Sequence, residues 1–213
     1  MGKSQKILAT TLWCFAVLGM LLLLALSAAK KSAEPTVVAS EAGVQGDDLP
    51  VLFDLPTFKL LDQDGREFTD AQLRGKPFVA SFVFTQCAGP CPMMFEKMAA
   101  MQKSVPDPNV KLVTFTVDPE RDTPEVLKKK ARELGADETR WTFVTGGKIA
   151  VHKLLTDMKM PTPAPEDDAL MHTTSFYLFD AQGRCRGTYF SSEDDQMKRL
   201  GEDAEKLARR KAL

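Results

Sequence analysis

Hydrophobic and polar residues alternate in blocks along this chain, and the clearest blocks predict a strand followed by a helix. The apolar run at residues 78–84 is short and rich in β-branched and aromatic residues, which is typical of a strand buried on both faces. Downstream, Met94, Met98 and Met101 recur at spacings of four and three, the pattern of one buried helix face. Pro92 suits the first turn of that helix, because a proline lacks the N–H that the first turn leaves unbonded.

The same pattern continues along the chain and predicts strands that alternate with helices. The further predicted strands are 109–118, 141–144, 174–180 and 185–190, and the further helices are 124–134, 149–158 and a closing helix capped by Ser191 or Ser192. A hairpin is expected around the turn at 62–65. This order predicts an α/β domain whose central mixed sheet is largely parallel and flanked by helices.

The N-terminal segment is different in character. Residues 7–26 are 20 uncharged, mostly apolar residues, which is long enough to span a membrane as a helix. Residues 25–27 resemble a signal-peptide cleavage site, but the hydrophobic stretch is unusually long for a signal peptide. We therefore expect a membrane anchor at 1–31, a flexible linker at 32–50 and the folded domain at 51–213, outside the cytosol.

Charge and cysteine content argue against two classes of protein, nucleic-acid-binding proteins and disulfide scaffolds. Residues 1–31 contain four lysines and no acidic residue, so the rest has a formal net charge of −5 once they are subtracted from the total of −1. A mildly acidic domain without a basic cluster argues against a nucleic-acid partner. Four cysteines are too few for a disulfide scaffold in a domain of this size. Cys14 lies in the apolar segment, and Cys185 is expected to be a free thiol or a core residue.

Two cysteines lie between the first central strand and its helix. Cys87 and Cys91 are four residues apart, so their side chains fall on one side of a helix or tight turn. The free N–H groups at a helix start favour thiolate over thiol. Pro90 and Pro92 flank Cys91 and stiffen the segment. Such a pair can close a disulfide or bind one soft metal ion, and two merely buried cysteines are the alternative.

The chain has two histidines, and their positions differ. His152 falls within the helix predicted at 149–158, where a surface or core role is expected. His172 ends a loop with three prolines and three acids and directly precedes the strand at 174–180. From that position its side chain can reach the edge of the sheet where reactive groups collect at the carboxyl ends of strands. A solvent-exposed loop histidine is the alternative.

Several motifs together resemble a known family. Residues 85–92, TQCAGPCP, resemble the C-x-x-x-C-P element of the Sco family of copper chaperones, also called SenC. Residues 117–124, VDPERDTP, match its V-D-P-x-R-D-T-P stretch without a gap. The likeness continues at 141–146 and 172–180 and covers about residues 52 to 207.

The resemblance carries expectations about fold, site and partners. It implies a membrane-tethered domain of thioredoxin-like fold in the bacterial periplasm or mitochondrial intermembrane space. It implies that copper is bound by Cys87, Cys91 and His172, by position in the motifs. It also implies a partner, either the copper-bearing subunit of cytochrome c oxidase, whose binuclear site the family helps to assemble, or another copper chaperone.

Two positions depart from the family pattern. Many members have proline and aspartate after the first cysteine, where this chain has Ala88 and Gly89. The histidine is often preceded by aspartate, but here by Met171. The first difference bears on the stiffness of the loop and on copper affinity or partner choice, and the second on the hydrogen bonding of His172.

The donor chemistry agrees with copper. Two thiolates and an imidazole suit Cu(I), and also Cu(II) in a site of low coordination number. Structural zinc sites use four ligands, and no fourth is evident. Methionine thioethers are a possible addition, although most methionines on a helix are packing residues. The candidates are Met93, Met94, Met158, Met160 and Met171.

Three functions use the same cysteines. The first is a copper-binding assembly factor. The second is a thiol–disulfide oxidoreductase without stored metal, although such proteins typically have C-x-x-C and a cis-proline where this chain has 172–174. The third is a peroxidase in which Cys87 attacks peroxide. Asp118 and Asp122 follow a strand near the same edge, and we expect them to hydrogen-bond the loops.

Overall fold

The structure is a computed structural model, and it describes residues 49–160 and 174–210. These residues begin with strands β1 (Phe53–Asp54), β2 (Lys59–Asp62) and β3 (Glu67–Thr69) and a 3-10 helix (Asp70–Leu73). They continue with β4 (Phe78–Val83), α1 (Cys91–Ser104), β5 (Lys111–Thr116), α2 (Pro124–Glu133), β6 (Trp141–Thr145) and α3 (Lys148–Asp157). The last elements are β7 (Ser175–Phe179), β8 (Arg184–Phe190) and α4 (Asp194–Arg210). The predicted anchor, Cys14, Met171 and His172 lie outside the described residues.

The eight strands of the described residues form one sheet in the order β1-β8-β7-β4-β5-β6-β2-β3. β4, β5 and β6 are parallel neighbours, and every other pairing in the described ranges is antiparallel. The sheet is therefore mixed, as predicted, but the prediction that it is largely parallel is wrong. The physical reason is that each hairpin adds antiparallel strands at an edge, and β7 returns beside β4 in the opposite direction.

The two faces of the sheet are covered by separate hydrophobic clusters. Alternate residues of β4 point to opposite faces, so Val79 and Val83 join one cluster while Phe78, Ala80 and Phe82 join the other. The first cluster includes the buried faces of α1, α2 and α4, and the second includes α3 and the β2–β3 hairpin. The predicted methionine face of α1 is confirmed, because Met94, Met98 and Met101 are all buried in the first cluster.

Local signals in the sequence set the ends of α2. The Thr123 hydroxyl accepts a hydrogen bond from Val126 N, and Pro124 occupies the first turn, as expected of a capped helix start. Gly135 follows the helix at a φ of +62°, a backbone conformation that glycine adopts without a steric penalty. The predicted position of this helix is confirmed.

The start of α4 differs from the prediction. Ser191 is fully buried, and its N–H donates to Thr174 O, so this residue takes part in pairing with the strand region. The first turn of the helix is closed by Met197 N donating to Glu193 O. The predicted cap at Ser191 or Ser192 is therefore wrong: α4 begins at Asp194, directly after Glu193, and strand pairing holds Ser191 before the helix begins.

Candidate thiol and metal site

The central strand β4 and helix α1 position both predicted cysteines. Cys87 lies in the loop after β4, at the carboxyl end of the strand, and Cys91 is the first residue of α1. Both are free thiols in this structure and both are buried, with exposed fractions of 7% and 3%. The predicted proximity of the pair is present here, since each thiol is a hydrogen-bond partner of the other.

The loop owes its shape to a turn and to its prolines. Cys87 N donates to Phe84 O at 3.4 Å, which closes a turn directly after the strand. Met94 N donates to Pro90 O at 3.1 Å, so the helix begins as soon as the loop reaches Pro90. Pro92, in the first helical turn, loses no hydrogen bond and has a fixed φ angle. Cys91 is therefore held in a rigid segment at the start of α1.

Cys87 is the thiol that ionises more easily. Burial raises its pKa, but three donors reach its sulfur and together they outweigh burial: the Cys91 thiol, the Cys91 N–H and the Gly89 N–H. The Gly89 N–H lies 3.3 Å from Cys87 Sγ. The net result is a pKa below the ordinary value of a cysteine thiol, so Cys87 is the better nucleophile of the two.

Cys91 is the protonated partner of the pair. Burial raises its pKa, and the hydrogen bond it donates to Cys87 raises it further, to about 12. Losing this proton therefore requires a compensating positive charge, such as a bound metal ion, or oxidation of the pair. The site can form a disulfide from this state, or exchange the Cys91 proton for a soft cation.

Asp118 and Asp122 lie in the loop after β5, next to the cysteine loop. Asp122 accepts hydrogen bonds from Thr85 N at 3.0 Å, from the Thr85 hydroxyl and from the Thr116 hydroxyl at 2.6 Å. Asp118 pairs with the Arg121 guanidinium at 3.0 Å. The expected role of these carboxylates in hydrogen-bonding the loops is confirmed.

The candidate methionines have different positions. Met94 is buried in the first cluster, while Met158 and Met160 are buried in the cluster on the opposite face of the sheet. These three are packing residues. Met93 is partly exposed in the first turn of α1, two residues after Cys91.

The remaining predicted residues are a core cysteine and two histidines. Cys185 is fully buried, and burial raises its pKa to about 12, so it is the core thiol that was predicted. His152 lies in α3, with Nδ1 at 3.4 Å from the Thr156 hydroxyl. The described part of the chain contains no cluster of three or more His, Cys, Asp or Glu side chains arranged for a metal. His172, the third predicted ligand, lies outside the described residues.

Sequence patterns missed two features of this site. The Gly89 N–H donor and the Thr85–Asp122 contacts depend on the fold of two loops that are distant in sequence. A glycine between the cysteines is a weak signal for the first, and no local signal identifies the second.

Among the described helices, none has the length and apolar character to cross a membrane.

A mixed α/β sheet with a cysteine pair between a central strand and its helix defines the thioredoxin-like class of proteins. Within that class, the SCO1/SenC family model matches residues 54–208, and the chain belongs to this family. The SCO1 protein homolog of Bacillus subtilis (strain 168) is 32% identical over 150 residues, which cover 68% of this chain and 78% of that protein.

Solved structures agree with this assignment. A SCO1/SenC family lipoprotein from Bacillus anthracis is 34% identical, with a TM-score of 0.67 over 73% of this chain and 95% of that one. BsSco, described as a member of the Sco family of cytochrome c oxidase assembly proteins with a disulfide switch, is 29% identical, with a TM-score of 0.62 over 75% and 99%. Bradyrhizobium japonicum ScoI with copper bound is 25% identical, with a TM-score of 0.59 over 71% and 98%.

Proposed function

We propose that this chain is a membrane-tethered copper-binding protein that delivers copper to, or reduces the cysteines of, the binuclear copper site of cytochrome c oxidase. Family membership supports the proposal, together with the copper in ScoI and the assembly role stated for the family of BsSco. The observation that carries it is the pair Cys87 and Cys91, two adjacent thiols with unequal affinity for protons.

The donors of this pair fit copper. Thiolates are soft ligands that select Cu(I), and both sulfurs are buried where water competes poorly for the metal. In this proposal Cys87, already biased towards thiolate, engages the metal first, and Cys91 then loses its proton. His172 supplies the imidazole, the third ligand by position in the family motifs. Copper is the cargo of the protein, and each binding event releases the thiol protons.

The same pair can make release depend on redox state. In the copper-bound form both sulfurs are thiolates, so their oxidation to a disulfide removes both ligands and gives up two electrons. An acceptor with a disulfide of its own takes these two electrons and becomes a dithiolate, which binds the released copper. Copper transfer and reduction of the acceptor's cysteines are thus two uses of one site.

The membrane tether completes the proposal. Residues 1–31 anchor the chain and 32–50 hold the domain away from the bilayer, in the periplasm or an equivalent compartment. The uncharged stretch at 7–26 supports this, and the Bacillus anthracis relative is described as a lipoprotein. The copper acceptor would then be reached along the membrane surface.

A second candidate function is thiol–disulfide exchange without stored metal. The split between a low-pKa Cys87 and a high-pKa Cys91 favours it, since an attacking thiolate beside a protonated partner is what disulfide exchange requires. Two other features favour copper instead: the cysteines are separated by three residues, and the chain has a histidine at position 172.

Copper binding in the two redox states tests the proposal. The full chain in mild detergent is titrated with Cu(I), once with reduced thiols and once after oxidation by diamide. We expect about one tightly bound copper per reduced chain and none on the disulfide form. Rapid reduction of insulin disulfides by a reduced chain that binds no copper would contradict the proposal and establish the oxidoreductase function.

A further inference from the structure

Asp122 is an acidic residue that is almost completely buried. Only 1% of its surface is exposed, although the loop that carries it lies at the edge of the sheet. Burying a carboxylate is costly unless donors replace the lost water. Uncharged donors do so here, because the neighbouring cation Arg121 pairs with Asp118.

The three donors to Asp122 connect two separate loops. Thr85, whose N–H and hydroxyl both donate to the carboxylate, lies two residues before Cys87. Thr116, the third donor, is the last residue of β5. The carboxylate therefore joins the start of the cysteine loop to the end of the neighbouring strand.

The support beneath Asp122 is itself rigid. Asp122 N donates to Asp118 O at 2.9 Å, and Asp118 N donates to the Thr116 hydroxyl at 3.0 Å. Val117 N donates to Val83 O at 2.9 Å, which continues the β4–β5 pairing up to the point where both loops begin. A carboxylate fixed in this way constrains Thr85 from outside the cysteine loop.

We propose that Asp122 is a positioning residue for the cysteine pair: by holding both donors of Thr85, it fixes the entry to the loop and keeps Cys87 close to Cys91. The inference deepens the proposed function, which gives the positioning its purpose, but its physical content concerns the two thiols alone. A fixed loop raises the effective concentration of one thiol at the other, which favours disulfide formation. It also keeps both sulfurs buried.

The test measures the equilibrium between the metal-free dithiol and oxidised glutathione on the full chain in mild detergent. The reaction converts one dithiol and one glutathione disulfide into the Cys87–Cys91 disulfide and two glutathione thiols. In Asp122→Ala, which loses all three hydrogen bonds to the carboxylate, we expect its equilibrium constant to fall about tenfold. We also expect Cys91 to be alkylated faster by iodoacetamide.

Asp118→Asn is the matched control, because Asp118 is a buried carboxylate of the same loop that pairs with Arg121. It should change the equilibrium constant by less than about twofold. Asp122→Asn is the conservative rescue. Its amide oxygen can still accept from Thr85 N and Thr116, and its NH₂ can donate to the Thr85 hydroxyl, so the equilibrium constant should stay near that of the unmodified chain.

Thr85→Val removes only the hydroxyl donor and keeps the Thr85 N–H. This variant replaces Asp122→Ala in the test if Asp122→Ala fails to fold. We expect about a threefold fall in the equilibrium constant from this variant. Equal effects of Asp122→Ala and Asp118→Asn would overturn the inference, as would an unchanged constant in Thr85→Val. Because no copper is present, these outcomes are independent of whether the chain binds copper.

Discussion

At the scale of single residues, the two cysteines differ in what surrounds their sulfurs. Three hydrogen-bond donors reach Cys87 Sγ. One of them is the thiol of Cys91, which donates a hydrogen bond to that sulfur. The pKa of Cys87 is therefore lowered while the pKa of Cys91 is raised, although both residues belong to one loop. The metal binding and the disulfide exchange proposed above would both start from this asymmetry.

The first prediction concerns this asymmetry. Cys91→Ala removes the thiol donor but keeps the Cys91 N–H, so the pKa of Cys87 should rise. The measurement is the rate of alkylation by iodoacetamide as a function of pH, whose midpoint reports the thiolate fraction. The midpoint should move to higher pH in the variant, and a midpoint that stays in place or moves lower would show that the Cys91 thiol does not stabilise the Cys87 thiolate.

The sequence predicted which residues take part here but not how they differ. Two cysteines near a helix start are visible in the pattern, and so is the proline that opens the helix. The roles follow from the Gly89 N–H at 3.3 Å and from the direction of the thiol–thiol hydrogen bond, which depend on the folded path of the loop. His172 remains a prediction from the sequence and the family motifs.

At the scale of elements, the β7–β8 hairpin is held by a buried carboxylate. Asp180 accepts from Gln182 N and from the N–H and guanidinium of Arg184, and Arg186 donates to it as well. Arg186 also donates to Leu49 O and Pro50 O. One ion-pair network thus fixes the hairpin turn and the segment that enters the domain.

The second prediction tests this network through pH. Burial raises the pKa of Asp180, but hydrogen bonds from the Arg184 N–H and from both guanidinium groups outweigh it and hold the pKa below its usual value. Its stabilising contribution is therefore present above the unfolded-state pKa, about 3.9, and is lost as pH falls through the lower folded-state pKa. Asp180→Asn should lower the free energy of unfolding at neutral pH by about 3 kcal/mol.

Chemical denaturation at several pH values gives the comparison. The difference between the unmodified chain and Asp180→Asn should shrink as pH falls from about 4 towards the lower folded-state pKa, because Asp180 is protonated first in the unfolded chain. The control is Asp194→Asn, whose side chain is 89% exposed and pairs with Lys97 at the surface, and we expect it to leave stability nearly unchanged. A difference independent of pH would contradict the role assigned to the Asp180 charge.

The third prediction concerns the start of α2, the helix that follows the Asp122 loop. Thr123→Ala removes the cap that accepts from Val126 N and should lower the free energy of unfolding by about 1 kcal/mol. Lys129→Ala, at an exposed position of the same helix, is the control for a change of helix composition. Equal unfolding free energies for the two variants would show that the Thr123 cap contributes nothing.

Periodicity recovered most elements but not how they pair. The strands and helices fall near their predicted bounds because burial patterns are local. The direction of β7 is set by which side of β4 it reaches, and the two-residue β1 exists only because β8 offers it a partner. Pairing of this kind joins distant residues, so the predictions of a largely parallel sheet and of a cap at Ser191 or Ser192 were both wrong.

At the scale of the whole molecule, the sheet brings distant motifs to one edge. The cysteine loop follows β4, and the Asp118–Asp122 loop follows β5, its parallel neighbour. Strand order alone puts these two loops side by side, so residues 37 positions apart in sequence, Thr85 and Asp122, are in contact. The family motifs at 85–92 and 117–124 are thus in direct contact in the fold.

The central claim is that His172 completes a copper site with Cys87 and Cys91, and one titration tests it directly. The reduced full chain, His172→Ala and His152→Ala are each titrated with copper against a competing chelator, with the valence of bound copper followed by electron paramagnetic resonance. We predict that the unmodified chain and His152→Ala each bind about one copper with equal affinity, and that His172→Ala binds at least about tenfold more weakly. Equal copper affinity in all three proteins would contradict a site built from two cysteines and His172.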